Sequence, residues 1–245
     1  MKLNKSFYAL LMAGALFTAC DSKPAGDVAE VGEAQEVTDV QGDATFAVDK
    51  SASKVAWIGL KPGGRHYGTF GIQDGSLELQ NGEVAGGTLQ IDLSDIDVKD
   101  LEGEYRDKLT GHLKSPDFFD VANHPTGTFE ITSVSKLEGA ASDAALTEES
   151  KKEVDNAADQ FVPEVTNPTH RITGNLTLRD TTLSVTFPAQ IQMTDNGLQA
   201  KARFVIDRTN WGITFRDDTS PVNRAKDEVI YNNVAVGFDL NAKKQ

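Results

Sequence analysis

Apolar and polar residues alternate through most of this chain. Lys54–Leu60 carries Val55 and Trp57 on one face. Leu89, Ile91 and Leu93 alternate with Thr88, Gln90 and Asp92, and Ile172, Gly174, Leu176 and Leu178 with Arg171, Thr173, Asn175 and Arg179. Leu183, Val185 and Phe187 oppose Ser184 and Thr186. Leu198, Ala200, Ala202, Phe204 and Ile206 form the longest such face, and Val234, Val236, Phe238 and Leu240 the last. Runs with one apolar and one polar face mark antiparallel sheet wetted on one side. Turn signals fall between them at Gln80-Asn81-Gly82, Asp180-Thr181-Thr182 and Asp195-Asn196-Gly197. Strands of this kind close into a barrel or stack as a sandwich. Gly86-Gly87 and Gly174, inside strands, favour a curved, closing sheet. The pattern therefore predicts one all-β domain over residues 44–242, an antiparallel barrel, with neither internal repeat nor βαβ alternation.

One stretch breaks the period. Leu101, Tyr105, Leu109 and Leu113 recur every four residues and predict a short helix with one apolar stripe. Ser115-Pro116-Asp117 reads as the N-cap of a further turn that places Phe118 and Phe119. After Pro125 the period returns to two, with Phe129 and Ile131 on one face. A helical cover feeds a half-buried strand.

The N-terminus bears on location. Lys2 and Lys5 precede an apolar run from Phe7 to Phe17, too short to span a bilayer but suited to a signal peptide. Phe17-Thr18-Ala19-Cys20 resembles the lipobox of bacterial lipoproteins, with Phe17 where leucine is usual. Cys20, the chain's one cysteine, can form no internal disulfide and is the expected site of lipid attachment. Residues 1–19 are thus expected to be removed, leaving a lipid-anchored protein of the bacterial cell envelope, on the periplasmic side or at the outer membrane. Residues 20–43 follow, with seven acids against Lys23 and no aromatic residue. That composition predicts a disordered tether holding the domain away from the membrane. The formal charge of −13 becomes −15 once Lys2 and Lys5 are gone, which argues against nucleic-acid binding.

Residues 138–168 are the other anomaly, with eight acids, two lysines, six alanines and helical spacing at Val154, Ala158 and Phe161. Two readings stand: a solvated insertion between strands, and a helical flap over a barrel mouth. Little in the chain points to catalysis. His66, His112, His124 and His170 have no metal-ligand spacing, so neither metal nor cofactor is expected. Arg106-Asp107 and Arg179-Asp180 read as local structural pairs.

Several segments, in order, resemble the YceI-like family of exported polyisoprenoid-binding proteins. They are Phe46–Asp49 and Lys54–Trp57, then Arg65–Gly71, Ser94–Asp97, Gly111–Asp120 with His124-Pro125 and Phe129, Ile172–Arg179, and Asp207–Ile213. The resemblance spans Phe46 to Ala242. It implies a lipocalin-like barrel of about eight strands whose apolar interior holds an isoprenoid tail, a quinone or polyprenyl lipid or similar amphiphile, without catalysis. The inward candidates are Phe46, Val55, Trp57, Phe70, Leu89, Ile91, Phe129, Leu176, Leu178, Val185, Phe187, Phe204 and Phe238, each of which also suits plain core packing. Lys61, Arg65 and His66 are the candidates for a polar head, and the acidity of the whole favours a neutral one. Two other readings stay open: an enzyme acting on an isoprenoid or fatty-acid derivative in the same cavity, and a filled barrel serving as a surface interaction module, either as monomer or as dimer.

Overall fold

The structure is a computed structural model describing residues 27–38, 40–137, 162–163, 165–195, 197–225 and 229–245. The expected signal segment, Cys20, the Asn196 turn position and the helical spacing at Val154, Ala158 and Phe161 lie outside the described residues. Among the described residues eleven strands form one sheet. They are β1 (Asp27–Val28), β2 (Glu30–Glu33), β3 (Ala44–Val48), β4 (Lys54–Lys61), β5 (Gly64–Gln80), β6 (Glu83–Val98), β7 (Thr126–Lys136), β8 (His170–Leu178), β9 (Thr181–Thr194), β10 (Gly197–Asp207) and β11 (Asn233–Lys244). Helix α1 (Gly103–Lys114) follows β6, and a 3₁₀ turn (Arg208–Trp211) and α2 (Pro221–Ala225) lie between β10 and β11.

Antiparallel pairing runs β5–β6–β7–β8–β9–β10–β11. The ring closes because β3 and β4 share one position: β4 bridges β11 and β5 at one end, β3 at the other. The result is a closed eight-position antiparallel barrel. Closure leaves few free edges, and register shifts in β5 and β7 supply the bends. At Asn81-Gly82 both residues have positive φ, 54° and 79°, as a type I′ hairpin requires. Gly174 is where the wall tightens, since a Cβ there would lie 2.4 Å from Phe129 Cζ.

The alternation in the sequence is the alternation of the wall. Leu198, Ala200, Ala202, Phe204 and Ile206 are all buried in a single interior core with Val185, Phe187, Phe238 and Leu240. On β4 both faces are covered. Val55 and Trp57 face in, while Ala56 and Ile58 join Val205 and Ala235 under Val162 in a second, outer cluster. The end of the acidic insertion, Val162-Pro163, thus lies on the outer wall, and Gly237 leaves it room. This part of the insertion does not cover a mouth.

Three local expectations change. Tyr105 is 73 % exposed while Leu113 is buried. A four-residue spacing drifts about 40° per step on a 3.6-residue helix, so a long stripe leaves the core. Ser115 caps the C-terminus of α1 rather than an N-terminus, its hydroxyl donating to the carbonyl of His112 at 2.7 Å, while the expected short turn does follow, the amide of Phe118 donating to the carbonyl of Ser115 at 3.0 Å. Most consequential, residues 27–33 are not a loose tether. β9 and β10 pair only from Ala189 and Ala202 toward their shared turn. Beyond that point they diverge, and the N-terminal segment fills the gap, β1 parallel to β10 and β2 antiparallel to β9. Buried Asn175 holds its end like a ladder residue: the Gln35 amide donates to Oδ1 (2.9 Å) and Nδ2 donates to the Gln35 carbonyl (2.7 Å). Two open edges supply the backbone hydrogen bonds, so an acid-rich segment joins a sheet without a core of its own.

Candidate functional site

The interior is divided along the barrel axis. In one half Phe187 stacks on Phe204 at 4.1 Å between ring centroids, with Phe129 and Phe238 within 5.7 Å of Phe187. These rings leave an inner lobe of only about 80 Å³. Toward the other end the barrel opens into an outer lobe of about 540 Å³, within the range of small-molecule sites. The lobes share Val55, Ile91, Leu176 and Val236, so the wall between them is apolar.

Twelve of the thirteen inward candidates line one lobe or both. Val55, Trp57, Phe70, Ile91, Leu176 and Leu178 border the outer lobe; Leu89, Phe129, Val185, Phe187, Phe204 and Phe238 border the inner one. Phe46 is buried in the same core but lines neither lobe. Of the head-group candidates, Lys61 and His66 reach the outer lobe. Arg65, on the opposite face of β5, does not.

Sequence reasoning missed the cover. The residues after β10 fold across the mouth, held by Arg208, which is 5 % exposed. Its guanidinium donates to four backbone carbonyls: Ile213 (2.6 Å), Ile230 (2.9 Å), Phe215 (3.0 Å) and Tyr231 (3.3 Å). Burial pushes its pKa down from the ordinary arginine value, and nearby Asp207, Asp217 and Asp218 oppose the shift. The Arg-x-x-Trp-Gly pattern at Arg208–Gly212 was the available signal. It marked a motif without revealing that its polar residue faces inward. From the other side, α1 and its following turn contribute Leu109, His112, Leu113, Phe118 and Phe119 to the lobe. His112 packs edge-on against Phe118 and Phe215, with centroids 5.0 and 4.7 Å away.

The other histidines are placed apart. His124 lies near Asp120 and Asp180, and His170 bonds Thr169 and Glu83. His66 is tied at Nδ1 to Asp100 Oδ2 (2.7 Å), while its Nε2 lies 3.3 Å from the Lys61 ammonium. Arg179 takes φ 53° in the β8–β9 turn and donates to the carbonyl of Gly212, tying that hairpin to the cover.

The two tryptophans differ in a telling way. Trp211 donates its indole N–H to the carbonyl of Leu176 at 3.0 Å. Trp57 lines the outer lobe, and its buried N–H has no partner among the described residues. An unmet buried donor costs about 1–3 kcal/mol. Trp57→Phe should therefore cost less stability than Trp211→Phe by about 1 kcal/mol or more. Urea denaturation of both variants of the ligand-free protein measures the difference; equal losses would mean that the Trp57 N–H is satisfied in solution.

Known proteins match this architecture. The family model described as YceI-like domain matches residues 46–242. A UPF0312 protein of Azotobacter vinelandii is 32 % identical over 133 residues, 54 % of this chain and 58 % of the relative. A UPF0312 protein of Ectopseudomonas mendocina is 34 % identical over 107 residues, 40 % of this chain and 51 % of the relative. The chain thus aligns with little more than half the length of these curated relatives. Among solved structures, Burkholderia cenocepacia BcnA superposes with a TM-score of 0.53 at 17 % identity, over 79 % of this chain and 98 % of its own. A polyisoprenoid binding domain from Saccharophagus degradans, implicated in plant cell wall breakdown, superposes with a TM-score of 0.52 at 15 % identity, over 83 % of this chain and 100 % of its own. At such identities the likeness is one of fold.

Proposed function

Because the chain belongs to the YceI-like domain family, we propose that it is an exported, lipid-anchored binding protein that holds the apolar tail of an isoprenoid or similar amphiphile. The observation that carries this reading is the outer lobe, a volume of about 540 Å³ walled by aliphatic and aromatic side chains and opening at a polar rim. Each methylene moved there from water contributes about 0.8 kcal/mol, so a tail of modest length supplies ample drive. A tail in the outer lobe meets the apolar wall shared with the inner lobe, and the phenylalanine cluster beyond that wall limits how far a chain extends. The same cluster answers the filled-barrel reading for one half only. Binding needs no catalytic step, and none is assigned.

In this reading Cys20 carries the lipid, the domain resides in the bacterial envelope, and the isoprenoid or other long-chain lipid is its partner. Organic extraction of the full chain purified from membranes, followed by lipid mass spectrometry, tests it. A stoichiometric amphiphile is expected; protein that copurifies with no lipid and takes up none from vesicles would refute the reading.

A further inference from the structure

Resting on that lipid-binding reading, we propose that residues 27–33 are a hinged stave of the barrel, whose release admits the ligand's tail sideways between β9 and β10. Where those two strands part, beyond Ala189 and Ala202, this segment is what stands between them. The interior lies directly behind it. Val185 and Phe204, registered with Val31 and Asp27, line the inner lobe. Ile206, further along β10, lines the outer lobe. The slot under the segment therefore runs from the phenylalanine cluster to the larger cavity.

The stave is lightly built. β10 sends Leu198, Ala200, Ala202, Phe204 and Ile206 into the core, whereas the segment buries Ala29 and packs Val31 against it. Val28 and Glu30 face solvent. Two small side chains give up little transfer energy when they leave. The ion pair of Glu30 with Arg171, at 3.4 Å on the surface, adds little. The strand edges uncovered by release carry backbone groups that water can serve. A segment with so few buried contacts opens locally while the rest of the sheet stays folded.

Its two ends are held unequally. Among the described residues, β1 is fixed by two registered pairs, Asp27 with Phe204 and Val28 with Val205, followed by the Ala29 amide on the carbonyl of Val205 (2.9 Å). At the other end Gln35 is gripped by buried Asn175 through two hydrogen bonds, and its Oε1 accepts from the Thr132 hydroxyl (3.2 Å). Further on, the Asp43 amide donates to the carbonyl of Leu79 (2.8 Å). Release thus begins at Asp27 and swings about Gln35. The mouth has no such freedom, because Arg208 staples its cover to four carbonyls. A tail entering there passes its whole length along the axis; a side slot takes it in abreast.

Two measurements test the stave. Hydrogen exchange on the unmodified full chain should show the amides of residues 29–33 exchanging about tenfold faster or more than those of residues 197–202, where β9 and β10 pair directly. Exchange as slow as that ladder would overturn the proposal whether or not any lipid binds. The second measurement locks the segment. Glu30 and Thr186 are registered partners, and Thr186 lies on the outer face between inward Val185 and Phe187. Glu30→Cys with Thr186→Cys, in a full chain whose one native thiol is removed by Cys20→Ser, places a disulfide across the gap. Uptake of geranylgeraniol from phosphatidylcholine vesicles is followed by tryptophan emission, since Trp57 lines the outer lobe. The oxidised protein should take it up about tenfold more slowly than the reduced one, with final affinities within about twofold. Equal rates would overturn side entry and leave the lipid-binding reading standing. Absence of uptake by the parent protein would instead overturn that reading.

Discussion

Replacing Arg208 with methionine should destabilise the domain by about 3–5 kcal/mol, the scale for breaking a buried charged network. Methionine supplies similar length and apolar bulk but no donors. The carbonyls of Ile213, Phe215, Ile230 and Tyr231 lose their common partner together, and each unmet buried acceptor carries its own penalty. Lysine should rescue little, because one ammonium cannot reproduce the planar fork that reaches four acceptors. For a domain of this size such a loss lowers Tm by roughly 10 °C or more. Thermal unfolding followed by circular dichroism measures it; a melting point within two or three degrees of the parent would show that the cover holds without the guanidinium. Since the same segment bears Arg216 and borders the outer lobe, ligand affinity should fall in Arg208→Met even below its melting temperature.

The second large effect is expected from Phe187→Ala. Phe187 is 1 % exposed and sits at the centre of the aromatic cluster that walls the inner lobe. Truncating a buried phenylalanine costs about 3–5 kcal/mol through lost transfer energy and the void left behind. That void would adjoin the inner lobe, so the variant should gain affinity for longer acyl or prenyl chains relative to short ones. Phe46→Ala is the control: it is equally at home in the core but borders neither lobe. It should lose comparable stability with no change in chain-length preference. Competition binding across a series of chain lengths separates the two. Identical length profiles for both variants would mean that the tail stops short of Phe187.

Much of the barrel could be read directly from the chain because a strand's period of two maps onto the two sides of a wall. That Phe204 and Ile206 share one apolar face, and that Gly174 belongs to a curving, closing sheet, could be read without coordinates; which way the face points could not. The limits are as instructive. Arg208 has no apolar signature, and only a closed cover with four converging carbonyls makes its burial intelligible. The seating of the cover on the barrel depends on the contact of Tyr231 with Leu60, which no local pattern encodes. Residues 27–33 failed for a different reason. Composition says whether a segment can build a core of its own, whereas these residues needed only the unpaired edges that β9 and β10 offer where they part.

That wall strand changes the scale of any attachment to the bilayer. With Asp27 already fixed in the sheet, seven Cα-to-Cα steps separate it from Cys20, and fully extended they reach at most about 25 Å. This is less than the roughly 30 Å thickness of a hydrocarbon core. A protein lipidated at Cys20 would ride on the headgroups as a close-moored float, exchanging cargo with the leaflet beneath it. It could serve a distant membrane only by being drawn out of its own.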